Sequence, residues 1–120
     1  MRDMKEVEIV DYGHAAIIGG GVLAEDLAGV LAKTGHATAF GASNTVGWVG
    51  WATHGGYGPF EGVFGLGVDQ LIEARMVDHE GRVLDADEDL LYGIRGAGSA
   101  FGVIVSLKIK IYRLKKVCLK

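Results

Sequence analysis

The stretch from His36 to Gly67 limits the fold most. It reads "HATAFGASNTVGWVGWATHGGYGPFEGVFGLG", glycine-punctuated with aromatics between, and it has no sustained period of 2 or 3.6. A loop this long inside a compact domain is functional or poorly ordered, and its aromatic content argues against disorder. The chain has only 120 residues, so the segments on either side must supply the core of one small domain. Glycine occurs 20 times and proline once. No G-X-Y period is present, which excludes collagen, and hydrophobic segments separate the glycines, which excludes a flexible linker. What remains is a backbone that turns sharply, or comes close to something, in many places.

The flanks carry regular patterns. Residues 5–11, "KEVEIVD", alternate as a strand does. "YGH" reads as a turn and "AAIIG" as a returning strand, which predicts a hairpin. Leu23, Leu27, Val30 and Leu31 recur at helical spacing, and Gly35 suits the end of that helix. Beyond the glycine stretch, residues 70–78, "QLIEARMVD", predict a strand, "HEGR" a turn and "VLDA" a second hairpin partner. "DEDLLYGIRG" predicts a short helix capped by Asp87. "FGVIVSLKIKIYRL" predicts one long strand with its lysines on a solvated edge. The order β-β-α-loop-β-β-α-β predicts an α+β fold, a mainly antiparallel sheet with flanking helices.

Several functions are excluded early. A net charge of −3 does not favour nucleic acid. The single Cys118 excludes an intramolecular disulfide and a cysteine-rich zinc site, and His14, His36, His54 and His79 lack metal spacing. No apolar run reaches membrane-spanning length and "MRDMKEVEIVD" is unlike a signal peptide, so no membrane partner is expected and the default compartment is the cytoplasm.

Two places compete for a ligand. In "AAIIGGGVLAEDLA", Gly19, Gly21 and Ala24 fit the G-x-G-x-x-A dinucleotide fingerprint. A Rossmann unit also needs a parallel strand after the helix that ends in an acid. The segment in that position, "ATAFGAS", carries none. The turn is therefore expected to connect a strand to a helix and no more. The stronger place is Gly41 to Gly58, where small residues offer backbone N–H groups without side chains in the way. Its expected contacts are Gly41, Ser43, Thr45, Val46, Gly47, Gly50, Thr53, Gly55, Gly56 and Gly58, with Thr45 and Thr53 as hydroxyl donors. "RGAGSAFGV", residues 95–103, is a second glycine-rich connection. Trp48 and Trp51, three apart at helical spacing, either pack in the core or lie exposed.

The motifs "TVGWVGWATHGGYG", "GLGVDQLIEARMVDHEGRVLDADEDLLYGIRGAGSAFGVIVSLKIKIY" and, within them, the run from Asp89 to Gly98 followed by Phe101-Gly102-Val103-Ile104, resemble the FAD-binding domain of FAD-linked oxidases. The likeness is to the vanillyl-alcohol-oxidase (PCMH) type and its berberine-bridge-enzyme-like branch, and it covers nearly the whole chain. It implies FAD as cofactor and oxidation of an alcohol, amine or sugar by hydride transfer. It puts Gly41 to Gly58 along the pyrophosphate and flavin, and Val103 against the flavin through its backbone. It matches only the second subdomain of that family's two. The first subdomain, with its R-S-G-G-H loop, and the substrate domain have no counterpart, so catalytic residues are not assigned. Ser43 stands where bicovalent members carry a flavin-linking cysteine, which implies non-covalent FAD. Trp51 replaces a common histidine, His54 a common glycine and Ala100 a common asparagine. A small-molecule substrate is expected only where the missing parts complete the site. The alternative expectation is a truncated, non-redox relative that works as a binding or self-assembling module, a homo-oligomer.

Overall fold

The computed structural model describes residues 1–114. Among the described residues, seven strands and four α-helices follow one another. These are β1 (Val7–Val10), β2 (Ala15–Gly19), α1 (Ala24–Lys33), β3 (His36–Ala37), α2 (Trp48–Thr53), α3 (Glu61–Phe64), β4 (Leu71–Val77), β5 (Val83–Asp85), α4 (Glu88–Ala97), β6 (Val103–Lys110) and β7 (Tyr112–Arg113). The main sheet has the order β1-β2-β6-β4-β5, and every neighbouring pair is antiparallel. The expected α+β class is the observed one.

One face of the sheet carries the core. Ala16, Ile18, Leu71, Ala74, Met76, Leu107 and Ile109 form one cluster with Leu27 and Leu31 of α1, Trp48 and Ala52 of α2, and Ile94 of α4. Each fully buried Leu or Ile contributes about 1.5–3 kcal/mol, so this seam holds the two layers together. Two bulges keep the pattern in phase. Leu71 pairs with Ile109 and Glu73 with Lys108, so Ile72 is an extra residue in β4; Ser106 and Ile104 pair with Arg75 and Met76, so Val105 is an extra residue in β6. Without the first bulge, Leu71 and Ala74, three apart, would point to opposite faces.

Three expectations are corrected. The long final strand is two: β6 ends at Lys110, and after Ile111 the chain leaves the sheet to pair Tyr112 and Arg113 with Ala37 and His36. β6 is also the central strand and not an edge. Lys108 lies between two neighbours and pairs with Asp11 at 2.9 Å and Glu73 at 3.6 Å. Residues 115–120, among them Cys118, lie outside the described residues. Finally, the His36–Gly67 stretch contains a short strand and two short helices. α4 starts as predicted, with the Asp87 carboxylate accepting the Leu90 N–H at 2.8 Å, but its helical backbone is broken at Arg95 and Gly96.

Candidate functional site

The "GGG" turn has no room for a ligand. A Cβ at Gly19 or Gly21 would overlap the carbonyl oxygens of Met4 or Met1, and one at Gly20 would overlap that of Ile104. Their N–H groups donate to Glu6 (2.9 Å), Val105 (2.8 Å) and Met4 (2.9 Å). The helix that follows is capped from within the protein. Ala24 and Glu25 donate to the carbonyls of Val46 (2.9 Å) and Asn44 (3.0 Å), and Trp48 donates back to Val22 at 2.9 Å. The turn thus seats the glycine loop across the start of α1, as the first two orphan donors of that helix require.

The glycines of that loop divide into two sets. At Gly41 a side chain would press on the Trp51 indole nitrogen (3.0 Å), at Gly56 on Gly67 Cα (2.8 Å), and at Gly58 it would overlap the Phe40 carbonyl. These three let chain segments approach one another. Gly47, Gly50 and Gly55 have nothing within 4 Å of where a side chain would begin. Gly47 and Gly50 lie on an exposed shelf with Ser43, Asn44, Thr45 and Val46. Among the described residues, the N–H groups of Ser43, Asn44, Thr45 and Gly47 make no backbone hydrogen bond, while that of Val46 closes the turn at Asn44 and Thr45. The Ser43 and Thr45 hydroxyls are 3.4 Å apart on the same shelf. Free amides beside the bare positions Gly47 and Gly50 fit an elongated, partly anionic group lying along the backbone.

Thr53 is corrected as a surface donor. It is buried, and its hydroxyl donates to the Val49 carbonyl at 2.8 Å. Its side chain also fills the space beside Gly98, where any Cβ would overlap it. The second glycine-rich connection is therefore locked to α2 through the Thr53–Gly98 contact. Val103 opens β6 opposite Val77 and is half exposed. Trp48 is in the core, its indole N–H donating to Ala39 at 2.9 Å, while the half-buried Trp51 donates to Tyr57 at 3.2 Å.

The fold also brings His54 and Ser99 together. His54 Nδ1 lies 2.7 Å from the Gly50 carbonyl and Nε2 lies 3.3 Å from Ser99 Oγ. Only the fold brings Ser99 there; no local motif signals it. Arg95 donates to the Leu71 carbonyl at 2.6 Å, which ties α4 to the start of β4.

The perturbed titratable groups lie elsewhere. A backbone N–H from Arg82 holds the Asp78 carboxyl below the usual carboxylate range, and the Arg75 guanidinium does the same for Asp85. Burial pushes the Tyr112 phenol up. A shallow groove of about 350 Å³ on the open sheet face is lined by Glu73, Arg75, Asp85, Ser106 and Lys108, whose charges pair with one another or with Asp11. Among the described residues no group of three metal-ligating side chains exists, and no helix is long and apolar enough to cross a membrane.

Against known proteins, residues 1–87 match the model of a family described as FAD binding domain. The chain is 35% identical over 120 residues to (R)-6-hydroxynicotine oxidase of Paenarthrobacter nicotinovorans, covering 97% of this chain and 26% of that protein. It is 36% identical to berberine bridge enzyme-like 28 of Arabidopsis thaliana, over 92% of this chain and 22% of that protein. A solved chitooligosaccharide oxidase superposes with a TM-score of 0.85 at 31% identity, over 94% of this chain and 25% of that one. The chain thus spans about a quarter of the length of such relatives. With most of its length matched by that model, and a fold shared with berberine-bridge-enzyme-like oxidases, the chain belongs to the FAD-binding domain family of the FAD-linked oxidoreductases.

Proposed function

We propose that this chain is the FAD-holding portion of an FAD-linked oxidoreductase acting on an alcohol, amine or sugar-like small molecule, and that it corresponds to the second subdomain of the FAD-binding domain. The observation that carries the reading is the shelf at residues 43–50, where the free N–H groups of Ser43, Asn44, Thr45 and Gly47 and the bare positions Gly47 and Gly50 stand together. These groups would bind the cofactor through its polar linker, with the Ser43 and Thr45 hydroxyls as further donors and Val46 as an apolar contact. Gly55 leaves the far end of the shelf open, and Gly41, Gly56 and Gly58 hold its shape.

When bound, FAD supplies two-electron acceptance from a carbon–hydrogen bond of the substrate. The chain's own part is to bind and orient. Ser43 cannot form the thioether that a cysteine forms, so attachment through this residue is non-covalent. Relatives that bear such names act on a hydroxynicotine and on chitooligosaccharides; for this chain the substrate class rests on that kinship.

The test is the visible spectrum of the purified chain with and without added FAD, with calorimetry of the titration. Saturable uptake with a shifted flavin band supports the reading. A colourless protein and a flat calorimetric trace would overturn it, and would leave a non-redox binding module as the better description.

A further inference from the structure

Residues 41–58 contain no lysine or arginine, so the shelf offers an anion no fixed cation, only backbone and hydroxyl donors. Two of its free N–H groups have a direction that the rest of the fold determines. In a planar trans peptide the carbonyl of one residue and the N–H of the next point opposite ways. The Asn44 carbonyl accepts the Glu25 N–H at 3.0 Å, and the Val46 carbonyl accepts the Ala24 N–H at 2.9 Å. Both carbonyls are therefore aimed at the first turn of α1. The N–H groups of Thr45 and Gly47, at the other ends of the same two peptide units, are aimed away from it. Both residues are exposed, and among the described residues neither N–H makes a backbone hydrogen bond. A peptide whose carbonyl accepts a hydrogen bond is polarised, which makes its own N–H a stronger donor. The first donors of α1 are used up in this arrangement, so the helix end itself is covered by the loop.

We propose that the N–H groups of Thr45 and Gly47 are the paired donors for the diphosphate of the bound cofactor, one for each phosphoryl group, an inference that rests on the reading of the shelf as the FAD site. The anchored carbonyls hold both donors in one direction before the ligand arrives, so binding orders little backbone. At Gly47 nothing lies within 4 Å of the missing side chain, which leaves its N–H open to approach. Selectivity follows from the pair. A flavin that carries a diphosphate satisfies both donors, and a flavin without one leaves them to water.

The Gly47 backbone, at φ −63 and ψ 118, has the φ of a proline. Gly47→Pro thus removes the N–H and keeps the course of the chain, while Gly47→Ala adds a side chain and keeps the N–H. The experiment titrates the full chain and both variants with FAD, and separately with riboflavin, which lacks the diphosphate. Gly47→Pro should bind FAD about tenfold more weakly than Gly47→Ala, the loss of one hydrogen bond to a charged group. The two variants should bind riboflavin alike. Amide NMR of the unsubstituted chain decides the same question independently: the Thr45 and Gly47 amide protons should move downfield with FAD and not with riboflavin. Equal FAD affinity in the two variants would overturn the inference while leaving the FAD site intact. Equal losses for FAD and riboflavin in Gly47→Pro would overturn it too, as would FAD-specific downfield shifts centred on Ser43 and Asn44. No FAD uptake by the unsubstituted chain would overturn this inference and the shelf reading together.

Discussion

Gly20 donates its N–H to the Val105 carbonyl at 2.8 Å, and the carbonyl of the preceding Ile104 occupies the space where a Gly20 side chain would lie. This contact joins the most nucleotide-like motif of the sequence to the central strand of the sheet. Backbone fills the site that a pyrophosphate would need. Gly20→Ala should therefore destabilise the fold by about 1–3 kcal/mol through overpacking, as chemical denaturation would show. The folded fraction should keep its full affinity for FAD.

Gly50 should behave in the opposite way. Nothing stands within 4 Å of its missing side chain. Gly50→Ala should stabilise α2, by up to about 1 kcal/mol, because alanine loses less backbone freedom than glycine. Gly50→Leu should fold and fail to take up FAD, read by flavin fluorescence. Gly56 is the instructive contrast. It is buried at φ 69, and Gly67 Cα lies 2.8 Å from where its Cβ would stand. A bulky residue there should prevent folding and would report nothing about ligand.

These glycines also separate what the sequence conveys from what it conceals. The hairpins, α1 and the Asp87 cap depend on neighbours within a few residues, and all were legible. The pairing of His36 with Arg113 and the meeting of His54 with Ser99 join distant segments, and no local pattern encodes them. The glycine loop was legible as a candidate site by composition. Which glycines face open space and which face backbone is decided only by tertiary contacts. Thr53 is the clearest case: its type and place suggested a ligand donor, yet its side chain packs against Gly98 in the core.

Trp48 is fully buried, and its indole N–H donates to Ala39 at 2.9 Å. Trp48→Phe should cost about 1–3 kcal/mol, because it leaves that carbonyl unpaired and a small void. The loss would appear as a lower denaturation midpoint. Trp51→Phe, which removes a bond on the exposed side, should cost less.

Asp78 accepts the backbone N–H of Arg82, the Arg82 guanidinium and the N–H of Glu80, each at 2.9 Å. The carboxyl is held below its ordinary range, chiefly by the Arg82 N–H. A lowered carboxyl contributes stability that is present above its unfolded-state value and is lost as pH falls through its folded value. Thermal unfolding between pH values of about 6 and 2 should therefore show an acid-limb loss that is smaller in Asp78→Asn. That variant should be less stable than the parent near neutral pH and should converge with it in acid.

The central claim is that the backbone of residues 43–50, and not the "GGG" turn, holds the cofactor. Two-dimensional amide NMR of the isotopically labelled chain, recorded as FAD is added, tests it most directly. The account predicts saturable shifts concentrated at Ser43, Thr45, Val46, Gly47 and Gly50, with Gly19, Gly20 and Gly21 unmoved. Saturable shifts concentrated at Gly19 to Gly21, with residues 43–50 unmoved, would contradict it.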